Sequence, residues 1–293
     1  MNPQALCWID QQIIPAIEAK VSVFDHGLLY GDGVFEGLRF YHGQIFMLDA
    51  HLERLQRSAN AISLKAPFSF DQIKKALLQL VDQYQSPQGY IRLVITRGAG
   101  SLGIDPISCK QPNLFIIADS LSVIPDAHAI EGISLHVASI RRIPVECLDP
   151  SIKSLNYLNN ILARIEARQA GMDEAVLLNT QGFISEGSVD NIFIIKQGVL
   201  KTPPTSDGLL HGITRQVILN IADMLGIESE QTHLTVDDLT QSDECFLTGT
   251  GAELISVRQV SGVDIPKVEK SIFNTISQAF KQTIDRQCLL QST

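Results

Sequence analysis

The stretch ISLHVASI (residues 133–140), followed downstream by SLNYLNNILARIEARQAG (154–171) and EAVLL (174–178), decides the fold class. The first run is short, apolar and rich in β-branched residues, which reads as a strand. The second predicts a helix from about Ser154 to Ala170, closed by Gly171 at the usual C-terminal stop. The third reads as a buried strand. Strand, helix and strand in succession predict mixed α+β architecture.

Working outward, Asn191–Lys196 reads as another apolar strand, and Thr214–Leu225 as a helix stopped by Gly226. A last helix is expected after Pro266, carrying Val268, Ile272, Ile276 and Phe280. Upstream, Leu48, Leu52, Leu55, Ala59 and Ile62 fall on one helical face, and Phe70, Ile73, Leu77, Leu80 and Tyr84 on another. The second of these helices opens with Ser69-Phe-Asp-Gln72, the form of a capping box. Strands follow at Tyr90–Thr96 and Asn113–Ala118. The segment SLSVIPDAHAIEG (120–132) has no sustained period and contains Pro125, so a linker is expected there. The division that results is 1–119, a linker at 120–132, and 133–293, in keeping with two cores for 293 residues.

A net charge of −9 with no block of Lys or Arg argues against nucleic acid as a partner. It leaves room for a small anion in a locally positive pocket. The N-terminus shows no signal-peptide pattern, and no run approaches the roughly 20 apolar residues of a membrane span. Five scattered cysteines without metal-like spacing read as reduced thiols, so no metal site and a cytoplasmic location are expected.

Several residues could carry chemistry. Lys153, read at the start of the 154–170 helix, would stand where the macrodipole disfavours a second cation, and a lowered amine pKa suits a Schiff-base nucleophile. A solvated lysine is the alternative. Glu186, in GFISEGS (182–188), sits between a short strand and a Gly-Ser turn, where it could hold a pyridine nitrogen protonated or simply cap a turn. Gly212-Ile213-Thr214-Arg215 opens a helix and offers amides to an anion. Thr248-Gly249-Thr250-Gly251 follows a strand and offers a second nest. Arg54 is either a third anion ligand or a surface arginine.

In combination these residues resemble the fold-type IV family of pyridoxal-phosphate enzymes, which holds branched-chain aminotransferases, D-amino acid aminotransferases and aminodeoxychorismate lyases. The resemblance runs along nearly the whole chain, in family order: VFDHGLLYGDGVFEGLR (23–39), HLERL (51–55), KSLNYL (153–158), SEG (185–187) with NIF (191–193), GITR (212–215) and TGT (248–250). It implies a small α/β domain plus a larger pseudo-barrel domain, and usually a homodimer. It implies pyridoxal 5'-phosphate bonded to Lys153, its ring nitrogen facing Glu186 and its ring oxygen Tyr157. The phosphate would be held by Arg54, Ile213, Thr214, Gly249 and Thr250. The substrate pocket would take Phe35, Arg39, Tyr90, Arg92, Thr250 and Gly251.

Gly89-Tyr-Ile-Arg92 resembles the Tyr-x-Arg strand of branched-chain aminotransferases, and alternation puts Tyr90 and Arg92 on one face. Phe35 would supply apolar wall for leucine, isoleucine or valine, and Arg92 would take the distal carboxylate of glutamate. The implied activity is therefore transfer of amino groups from branched-chain L-amino acids to 2-oxoglutarate. Two departures leave substrate range open: the Ser-Leu-Asn after Lys153 resembles the D-amino acid enzymes, and Gly251 stands where branched-chain enzymes commonly have alanine. A D-amino acid aminotransferase is the alternative, followed by aminodeoxychorismate lyase or a cofactor-binding protein without turnover.

Overall fold

The computed structural model describes residues 2–120, 131–266, 268 and 271–289. Most of the expected linker, residues 121–130, lies outside them. The chain divides into two compact units, one of Met1–Leu121, Ile152–Asn156 and Ile284–Thr293, the other of Ser122–Ser151 and Tyr157–Thr283.

In the first unit, β1 (Leu6–Ile9), β2 (Gln12–Pro15), β3 (Gly33–Tyr41), β4 (Gln44–Ile45), β5 (Gln88–Thr96) and β6 (Asn113–Asp119) form one antiparallel sheet in the order β2-β1-β6-β5-β3-β4. A short helix α1 (His26–Tyr30) precedes β3, and α2 (Leu48–Ala61) and α3 (Phe70–Tyr84) follow β4. The expected capping box is present: Ser69 Oγ accepts the Gln72 N–H, and the Gln72 side chain accepts the Ser69 N–H. The apolar faces read from the sequence are the packed ones. Leu52, Leu55 and Ala59 of α2 and Ile73, Leu77 and Leu80 of α3 bury themselves against Leu38, Phe40, Ile91, Leu93 and Ile116 of the sheet.

The second unit holds a sheet of nine strands in the order β12-β11-β10-β13-β14-β7-β8-β9, with β15 on β14. The strands are β7 (Ile133–Arg141), β8 (Glu174–Leu178), β9 (Ile184–Gly187), β10 (Asn191–Lys196), β11 (Val199–Thr202), β12 (Ser229–Gln231), β13 (Glu244–Gly249), β14 (Glu253–Val260) and β15 (Val263–Asp264). The sheet curls into a half-barrel. Its helices among the described residues are α4 (Leu158–Gln169), α5 (Ile213–Met224), α6 (Val236–Thr240) and α7 (Ile272–Leu289), α7 continuing to its end in residues of the first unit. Parallel pairing of β7 with β8 requires a crossover, and α4 supplies it. Alanines 163 and 167 let α4 lie close on Ala138, Ala175 and Leu177.

Three expectations are corrected. The helix after Lys153 begins at Leu158, not Ser154, because Ile152–Leu155 is engaged in extended pairing instead. Glu186 lies within β9 rather than beside it, and Val268 precedes the last helix, which starts at Ile272.

Candidate active site

The first unit's share is built on β3. Strand alternation turns Val34, Glu36, Leu38 and Phe40 toward the helices and Phe35, Gly37 and Arg39 to the opposite face. The β3–β5 register sets Gly37 opposite Arg92 and Arg39 opposite Tyr90. Tyr90 and Arg92 share a face as expected, and the Arg92 Cζ stands 4.4 Å from the Phe35 ring centroid and 5.5 Å from that of Tyr90. Arg39 lies over Tyr41, at 5.2 Å. Gly37 leaves space that Tyr90 fills, since a Cβ there would meet the Tyr90 hydroxyl at 2.2 Å.

Lys153 enters along the edge of β3. The Phe35 N–H donates to the Lys153 carbonyl (3.0 Å), and the Leu155 N–H to the Gly33 carbonyl (2.9 Å). The Lys153 N–H donates to Ser58 Oγ of α2 (3.1 Å). This edge pairing holds Lys153 outside any helix, so the macrodipole plays no part at that residue. Its Nζ stands 4.6 Å from the Phe35 ring centroid, which brings the amine, Phe35 and Arg92 together.

Arg54 is buried, 4% exposed, so the surface alternative is excluded. Its Nε donates to Glu36 Oε1 (2.7 Å) and its Nη2 to Glu36 Oε2 (2.8 Å). Burial alone would push the Glu36 carboxyl up, but the Arg54 guanidinium, with help from His51, brings it down to about 2.

The second unit carries the remaining residues. Glu186 Oε1 lies 2.9 Å from Arg142 Nη2, and its Oε2 accepts the Leu210 N–H at 3.0 Å. Arg142 also donates from Nε to the Gly208 carbonyl (3.3 Å) and from Nη1 to Asn160 Oδ1 (3.1 Å). Asn160 in turn donates to the Ser188 carbonyl (2.7 Å), one turn along α4 from Tyr157, the residue that precedes its first turn. Glu186 is thus held by fixed donors and is no solvated turn residue.

Gly212 is the N-cap of α5 and supplies no side-chain acceptor to its first turn, which begins with Ile213 and Thr214. A Cβ on Gly212 would fall 1.9 Å from Asn191 Oδ1, and one on Gly249 would fall 2.0 Å from Asp190 Oδ1. At both positions the missing Cβ lets a polar side chain, Asn191 or Asp190, pack closely on the backbone. Thr248 Oγ1 is buried with no hydrogen-bond partner among the described residues, while Thr250 and Gly251 form the turn from β13 to β14. Arg215 is turned inward, its Nη2 donating to the Pro203 carbonyl and Gln231, and burial lowers its pKa.

A helix start without a side-chain cap and an orphaned buried hydroxyl are what a phosphate-bearing ligand needs. In the second unit a carboxylate on fixed donors suits its ring nitrogen; in the first unit, taken by itself, a lysine amine against an aromatic ring suits its aldehyde. The residues present fit pyridoxal 5'-phosphate. Glu36, His51, Ser58, Arg142 and Asn160 join these residues only in the folded chain. Only the adjacent pair Arg141-Arg142 at a strand end could have marked one of them.

The family model for amino-transferase class IV matches residues 33–260. A putative branched-chain-amino-acid aminotransferase of Methanocaldococcus jannaschii is 47% identical over 255 residues, 87% of this chain and 88% of that relative. The branched-chain aminotransferase of Thermoproteus uzoniensis, solved with norvaline, superposes with a TM-score of 0.89 at 34% identity, covering 97% of each chain. The branched-chain amino acid aminotransferase of Thermobaculum terrenum, solved in its PLP-bound holo form, has a TM-score of 0.85 at 28% identity, covering 97% of this chain and 94% of its own.

Proposed function

Since the chain belongs to the class IV amino-transferase family and is a pyridoxal-phosphate-dependent aminotransferase, we propose that it moves amino groups from branched-chain L-amino acids (leucine, isoleucine, valine) to 2-oxoglutarate. The observation that carries this reading is the cluster of Lys153 Nζ, Phe35 and Arg92 on one face of the first sheet. An apolar ring beside the amine suits a branched aliphatic side chain. A guanidinium stacked on that ring suits the second carboxylate of glutamate, by a bidentate contact. The names carried by the relatives point the same way.

The bound cofactor supplies an electron sink for the charge left at the substrate α carbon. The rest falls to the chain's own side chains. Lys153 would hold the cofactor through its Nζ, and the same amine, once free, would take the proton from the substrate α carbon as general base and carry it on Nζ as general acid. Glu186 is kept in place by Arg142 and the Leu210 N–H, and its carboxylate would hold a proton on the ring nitrogen. Tyr157 would donate to the ring oxygen. Arg54 of the first unit, and Ile213, Thr214, Gly249 and Thr250 of the second, are the residues that would hold the phosphate, which carries about −1.5 to −2 charges. Phe35, Arg39, Tyr90, Arg92, Thr250 and Gly251 line the substrate's place.

The chain acts as a homodimer in the cytoplasm. None of its five cysteines is in a disulfide, in keeping with a reducing compartment.

The test is the visible absorption spectrum of the purified protein before and after L-leucine, with Lys153→Ala as control. A band that shifts with L-leucine in the wild type and fails to respond in the variant is the expected result. A band that ignores L-leucine and answers D-alanine would move the activity to the D-amino acid branch.

A further inference from the structure

Strand alternation in β3 points one charged side chain into an otherwise apolar core. Glu36 is fully buried, between Val34 and Leu38 along the strand and opposite Leu93 on β5. Taking a carboxylate out of water is costly unless each oxygen is matched. Both are matched. Oε1 accepts from Arg54 Nε, and Oε2 accepts from Arg54 Nη2 and from His51 Nδ1 at 2.8 Å. A carboxylate only accepts, so His51 Nδ1 carries a proton. Burial holds the imidazole below its ordinary pKa, against the pull of Glu36 and with the charges of Arg54 and Lys153 adding to it.

This is more apparatus than docking α2 on the sheet requires. A well-packed apolar group would fix the helix about as well as a buried ion pair. The pair does something an apolar group cannot. It grips the guanidinium side-on, through Nε and Nη2, and so fixes the guanidinium's plane.

We infer that Glu36 is the positioning residue of the cofactor's phosphate site: it holds Arg54 in the one orientation that receives a phosphate, with His51 steadying the carboxylate from its other side. The inference rests on the reading of Arg54 as a phosphate ligand. Electrostatics alone predicts the opposite effect. An anion beside Arg54 offsets the charge that attracts phosphate, so removing it would tighten binding if orientation did not matter.

The sign of the change therefore decides. The apoprotein of the wild type and of Glu36→Gln would be titrated with pyridoxal 5'-phosphate and, separately, with pyridoxal, following the absorption of the bound aldehyde. The expected result is affinity for pyridoxal 5'-phosphate lower by about tenfold or more in the variant, with affinity for pyridoxal within about twofold. A merely structural role would weaken both ligands alike. That outcome, or tighter binding of pyridoxal 5'-phosphate, overturns the inference. Glu36→Asp, which keeps the charge and withdraws it by one methylene, tests the same ratio if Glu36→Gln does not fold. It is expected to lose phosphate preference too, and preference at the wild-type value would overturn the inference. A wild type that binds the two ligands equally would remove Arg54's phosphate role itself, whereas a wild-type preference retained by Glu36→Gln would remove only that of Glu36.

Discussion

A methyl group at position 37 would lie 2.2 Å from the Tyr90 hydroxyl and 3.0 Å from its Cζ, so Gly37→Ala must move the tyrosine. The backbone at Gly37 is ordinary strand, and the fold should survive. With Tyr90 pushed aside from Arg92, the expected effect is a KM for the amino donor raised about tenfold, with the thermal midpoint little changed. Steady-state kinetics beside a melting curve checks both, and an unchanged KM would take Tyr90 out of the substrate pocket. Gly37 shows what a single residue discloses in sequence and what it withholds. Lys153, Glu186 and Arg54 stand in motifs, and could be named from their neighbours. Glu36 stands in the same quoted stretch and went unnoticed, because its partners His51 and Arg54 come from another element 15 and 18 residues on. Arg142 was missed for the same reason: it meets Glu186 only after β7, β8 and β9 have paired.

Elements were legible where a local rule sufficed. The apolar periods of α2 and α3 and the capping box at Ser69 needed nothing from the rest of the chain. Ser69→Ala removes one acceptor from the first turn of α3, a helix that carries Ile73, Leu77 and Leu80 into the core. The expected loss is about 1 kcal/mol, read as a lower midpoint in urea at unchanged slope. A loss near zero would mean that core packing alone holds the turn. Where tertiary pairing competes with local propensity, sequence reading went astray. Ser154–Tyr157 has an acceptable helical composition, yet Ser154 bridges Val34 and the Leu155 N–H binds the Gly33 carbonyl, so the helix waits until Leu158. The four-residue strands β1 and β2 are too short to establish a period in the sequence.

At the scale of the molecule, two consequences follow from groups that act together. Glu36 has a folded-state pKa of about 2, below its ordinary 4.5, so its stabilising contribution is present above pH 4.5 and is lost as pH falls toward 2. His51 is held below its ordinary 6.5, so the unfolded chain takes up that proton first and stability declines as pH drops under 6.5. The urea midpoint should therefore fall in the acid range from about 6.5 downward, and the decline between 6.5 and 4.5 should flatten in a His51→Gln variant that folds. An undiminished slope there would assign it to other groups. The second consequence concerns α4. Its buried face is made of Asn160, Ala163 and Ala167, while Leu158, Ile161, Leu162 and Ile165 are 67, 51, 41 and 45% exposed, spaced to form one stripe on the opposite side. Burying aliphatic side chains of this size is worth about 1.5–3 kcal/mol each, and contiguous apolar surface of this kind marks an interface. A second copy of the chain is the occupant that the proposed homodimer supplies. Light scattering on the eluting wild type should give twice the chain's mass of 32.2 kDa. Replacing Ile161 and Ile165 together by aspartate puts two charges into that stripe without touching the alanine face, so the variant should elute at the mass of one chain with its far-ultraviolet dichroism intact. A wild type of single-chain mass would end the dimer proposal, and a variant that stayed dimeric would move the interface away from α4.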